Sequence, residues 1–139
     1  MIQLHELRVG NKILEIIEDN KLPGIQTWLT VKEIKQSGII LSNGMVVNYH
    51  DKYRIEGILL TDDILQKIGF TVGIAAIKKS YLIEVKNSSK YFLLIPTVTT
   101  NYYSVMYDHK PGSIYIIYLH ELQNEFFDLT GEELKVNLN

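Results

Sequence analysis

Ile39-Ile40-Leu41-Ser42-Asn43-Gly44-Met45-Val46-Val47-Asn48-Tyr49 decides how the first half of this chain reads. Two apolar runs flank Ser-Asn-Gly, and Asn-Gly supplies the positive φ values that a type I′ turn requires, so the stretch predicts a β-hairpin. Upstream, Thr27 to Lys35 predicts a strand, with Trp28, Thr30, Lys32 and Ile34 on one face and Leu29, Val31, Glu33 and Lys35 on the other. Further upstream, Lys12 to Ile17 reads as another strand, and Glu18 to Gly24 as a polar loop punctuated by Pro23-Gly24. Several short strands in succession leave edges and one apolar face that closure would hide, so residues 1–58 are read as a small antiparallel SH3-like barrel.

Downstream of the hairpin, Thr61 predicts a helix N-cap, Asp62 and Asp63 sit where the helix dipole favours negative charge, and Ile64, Leu65 and Ile68 form an apolar face. Gly69 ends the helix and Phe70 closes against it. Residues 59–70 are therefore a linking helix. Beyond it the pattern reads strand, strand, strand, strand, helix: Tyr81 to Lys86, Tyr91 to Ile95, Tyr102 to Tyr107 and Ser113 to Tyr118, the last two joined by a turn-rich Asp108-His109-Lys110-Pro111-Gly112. Leu119, Leu122, Phe126 and Leu129, with Phe127 beside them, then fall at helical spacing up to a stop at Thr130-Gly131. The expected fold class is α+β: the barrel of 1–58, the helix of 59–70, and in 71–139 an antiparallel four-stranded sheet packed by a C-terminal helix. Whether the two halves share one core stays open.

Composition bounds the chemistry. With no cysteine among 139 residues, thiolate zinc sites, disulfides and thiol nucleophiles are excluded. A net charge of −2 and only two arginines, Arg8 and Arg54, argue against a phosphate clamp working by bulk charge. The N-terminal Met1-Ile2-Gln3-Leu4-His5-Glu6 carries no basic stretch followed by an apolar run, and Ile114 to Leu119 falls far short of the roughly 20 residues that span a bilayer, so the expectation is a cytoplasmic chain with no membrane partner.

No Gly-x-Gly-x-x-Gly, phosphate-binding loop or Gly-x-Ser-x-Gly pattern is present. His5-Glu6, His50-Asp51 and His120-Glu121 pair imidazole with carboxylate, but sequence neighbours point away from each other on a strand and sit about 100° apart on a helix. His120-Glu121-Leu122-Gln123-Asn124 nearly spells His-Glu-x-x-His; Asn124 is a poor zinc ligand, so a zinc protease is rejected. No metal or cofactor is expected. His120 and Asn124 still share a helix face and form the candidate site of an enzyme reading. Nine tyrosines, many on predicted strands, suggest a second site. If one helix covers one face of the sheet, the other offers aromatic rings, and Lys78, Lys79, Tyr81, Lys86, Lys90, Tyr91, Tyr103 and Tyr107 suit stacking on single-stranded nucleic acid or docking a protein. Set against this, tyrosine also fills half-buried strand positions by propensity alone.

Three segments, Glu6 to Asn11, Leu60 to Phe70 and above all Tyr118 to Leu134, resemble in order and spacing a family of small uncharacterised proteins of Bacteroides-type bacteria, their prophages and mobile elements. The resemblance implies a cytoplasmic accessory protein of phage or mobile-element origin and transfers no catalytic residue. The leading expectation is a non-enzymatic interaction module with a protein partner. The alternatives are a single-stranded nucleic-acid binding protein and an enzyme with an unrecognised site near His120 and Asn124; oligomeric state is left open.

Overall fold

A computed structural model describes residues 2–15, 27–48, 50, 55–75, 78–86, 88–97 and 102–136. The chain is mixed α+β, mostly antiparallel strands in two sheets, and divides into two units, Met1–Ile58 and Leu59–Asn139.

In the first unit, β1 (Lys12–Glu15), β2 (Thr27–Lys35), β3 (Gly38–Leu41), β4 (Val46–Asn48) and β5 (Ile55–Glu56) form one sheet in the order β4-β3-β2-β1-β5. The strands bury alternate residues: Leu29 and Val31 of β2 pack with Ile13, Ile39, Leu41, Val47 and Ile55, and Ile2, Leu4 and Leu7 join the same core. The pairing of β2 with β3 shifts register between Val31 and Glu33, so β2 serves β1 with its first half and β3 with its second. The expected continuation of the first strand to Ile17, the Pro23-Gly24 loop and Tyr49 fall outside the described residues.

The hairpin at Asn43-Gly44 exists, but its turn differs from the expected type I′. Leu41 N–H donates to the Met45 carbonyl and Gly44 N–H to that of Leu41, enclosing a three-residue loop in which Gly44 is left-handed (φ +85°) while Asn43 is not. The Asn43 side chain accepts from Met45 N–H at 2.9 Å and stabilises this longer loop.

In the second unit, α1 (Asp62–Lys67) starts as expected: the Thr61 hydroxyl accepts from Ile64 N–H at 3.2 Å. It ends with Phe70 N–H on the Leu65 carbonyl and Gly69 N–H on that of Gln66, the two bonds of a Schellman motif, which places Gly69 at φ +111°. Five strands follow where four were expected: β6 (Thr71–Ala75), β7 (Lys78–Glu84), β8 (Tyr91–Pro96), β9 (Tyr103–Tyr107) and β10 (Lys110–Ile116), in the order β10-β9-β8-β7-β6. The additional strand β6 pairs with β7 from Thr71↔Leu82 to Ala75↔Lys78. The presumed link Lys110-Pro111-Gly112 is strand as well, and the turn before it shrinks to Asp108-His109.

α2 (Leu119–Thr130) packs on one face of this sheet. The Glu121 carboxylate reaches back to accept from Tyr118 N–H at 2.9 Å, and Gly131 closes the far end at φ +76°. Leu119, Leu122 and Phe126 are buried as expected. Phe127 and Leu129 are not, and His120, Gln123 and Glu125 are buried instead. Cross-strand registers Tyr81↔Leu94↔Val105 and Ile83↔Phe92↔Tyr107 set the helix-facing side. Alternation turns Leu82, Leu93 and Met106 to the other.

Candidate functional site

Leu82, Leu93 and Met106 are direct partners across β7, β8 and β9, so they form one row on the face opposite α2. They floor an open groove of about 620 Å³ whose remaining lining is Ser89, Lys90, Tyr91, Asp108 and His109. Four of these come from the two hairpin connections at one end of the sheet, and Tyr91 begins β8 beside them. The β7–β8 connection brings Ser89, Lys90 and the start of β8, and the β9–β10 turn brings Asp108 and His109. Tyr91 stays 46% exposed, and the Lys90 ammonium pairs with the Asp108 carboxylate at 3.2 Å. The groove therefore has an apolar floor, an aromatic wall and a rim whose ionised pair neutralises itself. Such a pair at the surface adds about 0–1 kcal/mol to stability, so its consequence is charge balance.

The structure separates the residues that the sequence grouped. Lys90 and Tyr91 line the groove. Lys79 and Tyr81 belong to a different cluster on β7, and Lys86 is exposed in the β7–β8 connection. Lys78 begins β7. Tyr81 and Tyr103 are 4% and 9% exposed and meet edge to face at 6.1 Å, so they fill the helix-facing side and offer no ring for stacking. Tyr107 shares that side, opposite Phe92, and is half-buried. Tyr103 and Tyr107, expected among the rings that an uncovered face would offer, lie instead on the side that α2 covers, and Met106 lies on the open one. His120 is fully buried, stacked on the Tyr118 ring at 5.7 Å, and neither it nor half-buried Asn124 lines the groove.

Asp62 at the start of α1 holds the β7 cluster. The Tyr81 hydroxyl donates to its Oδ1, Lys79 Nζ lies 3.0 Å from the same oxygen and 5.5 Å above the Tyr81 ring, and Gln66 Nε2 donates to Oδ2 at 2.8 Å. The Tyr81 hydrogen bond first, then that of Lys79, holds the Asp62 carboxyl below its ordinary pKa. Burial, then the bond to Asp62, pushes the Tyr81 phenol up, and Asp62 raises Lys79. A depressed carboxylate stabilises the fold above its unfolded pKa and ceases to do so as pH falls through its folded value. The raised phenol and ammonium stabilise below their unfolded values and cease to do so as pH rises through the folded ones. Every group in the clasp is therefore in its working form around neutral pH. Asp62→Asn is expected to lower stability at pH 7 and to remove part of the loss seen below about pH 4. Urea melts at the two pH values check this; parallel pH profiles of parent and variant would show that the clasp is idle.

Among the described residues no grouping of three or more His, Asp or Glu could hold a metal ion, and no helix is long and apolar enough to cross a membrane. Sequence reasoning missed Leu82, Leu93, Met106, Asp108 and His109. Their period-2 alternation was readable within each strand, but bringing three strands into one row takes the register. Comparison of the chain with protein-family models, with curated proteins and with solved structures gives no match.

Proposed function

We propose that this chain is a non-enzymatic interaction module that binds a protein partner through the helix-free face of its second sheet. The apolar groove floored by Leu82, Leu93 and Met106 carries the reading. These three are half-buried at the floor of an open groove, where a partner's apolar surface can replace water. Two of the lysines behind the nucleic-acid alternative, Lys79 and Lys90, pair with Asp62 and Asp108, and of its tyrosines Tyr81 and Tyr91 the first is buried. Base stacking is then left to Tyr91, which favours protein over nucleic acid. Full burial of His120 weighs against the enzyme alternative.

For the first unit, the order β5-β1-β2-β3-β4 and the shared, register-shifted β2 support an SH3-like barrel. An accessory protein of phage or mobile-element origin, as the resemblance implies, suits a small adaptor of this kind.

A photo-crosslinking residue at Ser89, on the groove rim, tests the partner. The expected result is one protein adduct in host lysate that excess unlabelled parent protein competes away and excess Tyr91→Ala protein does not. Equal competition by both proteins would overturn the reading. So would adducts only to nucleic acid together with single-strand affinity that falls steeply with salt.

A further inference from the structure

We infer that Asn43-Gly44 is a site of spontaneous covalent modification, where the Asn43 carboxamide closes on the Gly44 nitrogen as a succinimide and opens to isoaspartate, releasing the β3–β4 edge. The site belongs to the first unit and owes nothing to the groove. Asn-Gly occurs once in the chain, and both residues are exposed. Glycine sets no Cβ beside its own nitrogen, and even a Cβ built at Gly44 would find nothing within 4 Å, so that nitrogen is unobstructed. The Asn43 Oδ1 accepts from Met45 N–H at 2.9 Å, which folds the carboxamide back along the Gly44 peptide. The ring closed by this bond contains both reacting atoms, Asn43 Cγ and Gly44 N, and held proximity of that kind is what speeds an intramolecular closure.

The bond to Met45 also assists the chemistry. Gly44 N loses its proton to hydroxide and bonds to Cγ, and the electron pair of the Cγ–Oδ1 double bond moves onto Oδ1, where Met45 N–H already donates. Collapse breaks the Cγ–Nδ2 bond, and Nδ2 takes a proton from water and leaves as ammonia. Water then adds to either ring carbonyl. Breaking the bond from Cγ to Gly44 N gives aspartate; breaking the bond from the Asn43 main-chain carbonyl to Gly44 N gives isoaspartate, whose backbone runs through Cβ and Cγ. Against closure stands the bond from Gly44 N–H to the Leu41 carbonyl at 2.9 Å, a single exposed bond whose opening slows the reaction by about tenfold. Isoaspartate lengthens a loop whose present length is set by that bond and by Leu41 N–H on the Met45 carbonyl. The strand beyond it, β4, is three residues at the sheet edge and is held to the core by fully buried Val47, so a longer loop frees it. Each event also adds one negative charge.

Incubation of the full chain at physiological temperature, at neutral and at mildly alkaline pH, followed by trypsin and electron-transfer fragmentation, tests this. Cleavage after Lys35 and Lys52 leaves Asn43 and Asn48 in one peptide, so exposed Asn48, followed by Tyr49, is an internal control. Asn43 is expected to convert at least about tenfold faster than Asn48, faster still at the higher pH, and to yield isoaspartate as well as aspartate. Its rate in the folded chain should lie within about tenfold of that in the urea-unfolded chain. Isoaspartate-bearing copies, separated by ion exchange, should have lost hydrogen-exchange protection at the β3–β4 amides and kept it between β1 and β2. Asn43→Ser keeps an oxygen for Met45 N–H but has no carboxamide, and should hold that protection through the same incubation. Conversion of Asn43 no faster than Asn48, a larger retardation by folding, or isoaspartate-bearing copies with an intact β3–β4 edge would each overturn the inference. Protection lost in Asn43→Ser on incubation would do so too, since heating alone would then free the edge.

Discussion

Phe126→Ala is expected to destabilise the protein by about 3–5 kcal/mol. Phe126 is 5% exposed, its ring centroid lies 5.0 Å from that of Phe92, and Phe92, fully buried on β8, meets Phe70 edge-on at 6.4 Å. The three rings link α2, the middle strand of the sheet and the residue that closes the α1 cap. Truncation removes the ring nearest the helix and leaves a void bordered by Phe92, which has no exposed side toward which to relax. Against a total stability of about 5–15 kcal/mol, a loss of this size leaves the unit marginal. Phe127→Ala is the matched control: same helix, same side chain, 41% exposed, and an expected change of about 0.5 kcal/mol or less. Urea melts of the two variants decide. Equal effects would mean that α2 presents a different face to the sheet.

That helix shows what the sequence could tell and where it stopped. Leu119, Leu122 and Phe126 follow from spacing alone, because a 3.6-residue period fixes which residues share a stripe. The same period extended the stripe to Leu129, which is 36% exposed, since periodicity carries no information about where the surface beneath the helix ends. Capping chemistry was legible at Thr61, Gly69 and Gly131 because each rests on one residue and its near neighbours. Turn type was not. Asn43-Gly44 has the dipeptide for two positive φ angles and occupies a three-residue loop, whereas Asp108-His109 lacks a glycine and takes both. Loop length there is fixed by which residues of the flanking strands pair, and that is a property of the sheet. Strand β6 was missed because Thr71-Val72-Gly73-Ile74-Ala75 is interrupted by a glycine that reads as a break; in place, Gly73 faces Ser80, and a Cβ there would meet Leu82 at 2.8 Å. The groove was hidden for the same reason. Tyrosine and lysine have the chemistry of binding residues, but pairing sends Tyr81 and Tyr103 under the helix and Lys79 to Asp62, leaving plain aliphatic residues on the open face.

Gly38→Ala tests register directly, and a loss of about 3 kcal/mol is expected, at the upper end for overpacking. A Cβ at Gly38 would lie 2.2 Å from the Val47 carbonyl oxygen and 2.8 Å from the Asn48 Cα. Both are backbone atoms of the paired strand, so no rotamer change relieves the overlap. The φ of Gly38 is not in the left-handed region, and the obstacle is purely space. Alanine at a compatible site would add about 0.4–1 kcal/mol by restricting the unfolded chain, a gain too small to offset the clash. The strand that has to move is β4, three residues long at the sheet edge, and moving it lifts Val47 out of the first unit's core. Hydrogen exchange should therefore show protection lost at the β3–β4 amides and retained between β1 and β2. Gly44→Ala is the contrasting variant, with φ +85° and nothing within 4 Å of its Cβ. It is strained but unobstructed, with an expected cost of about 1–2 kcal/mol. If Gly38→Ala proves the milder of the two, Gly38 does not face Asn48, and the pairing that defines this edge is wrong by at least one residue.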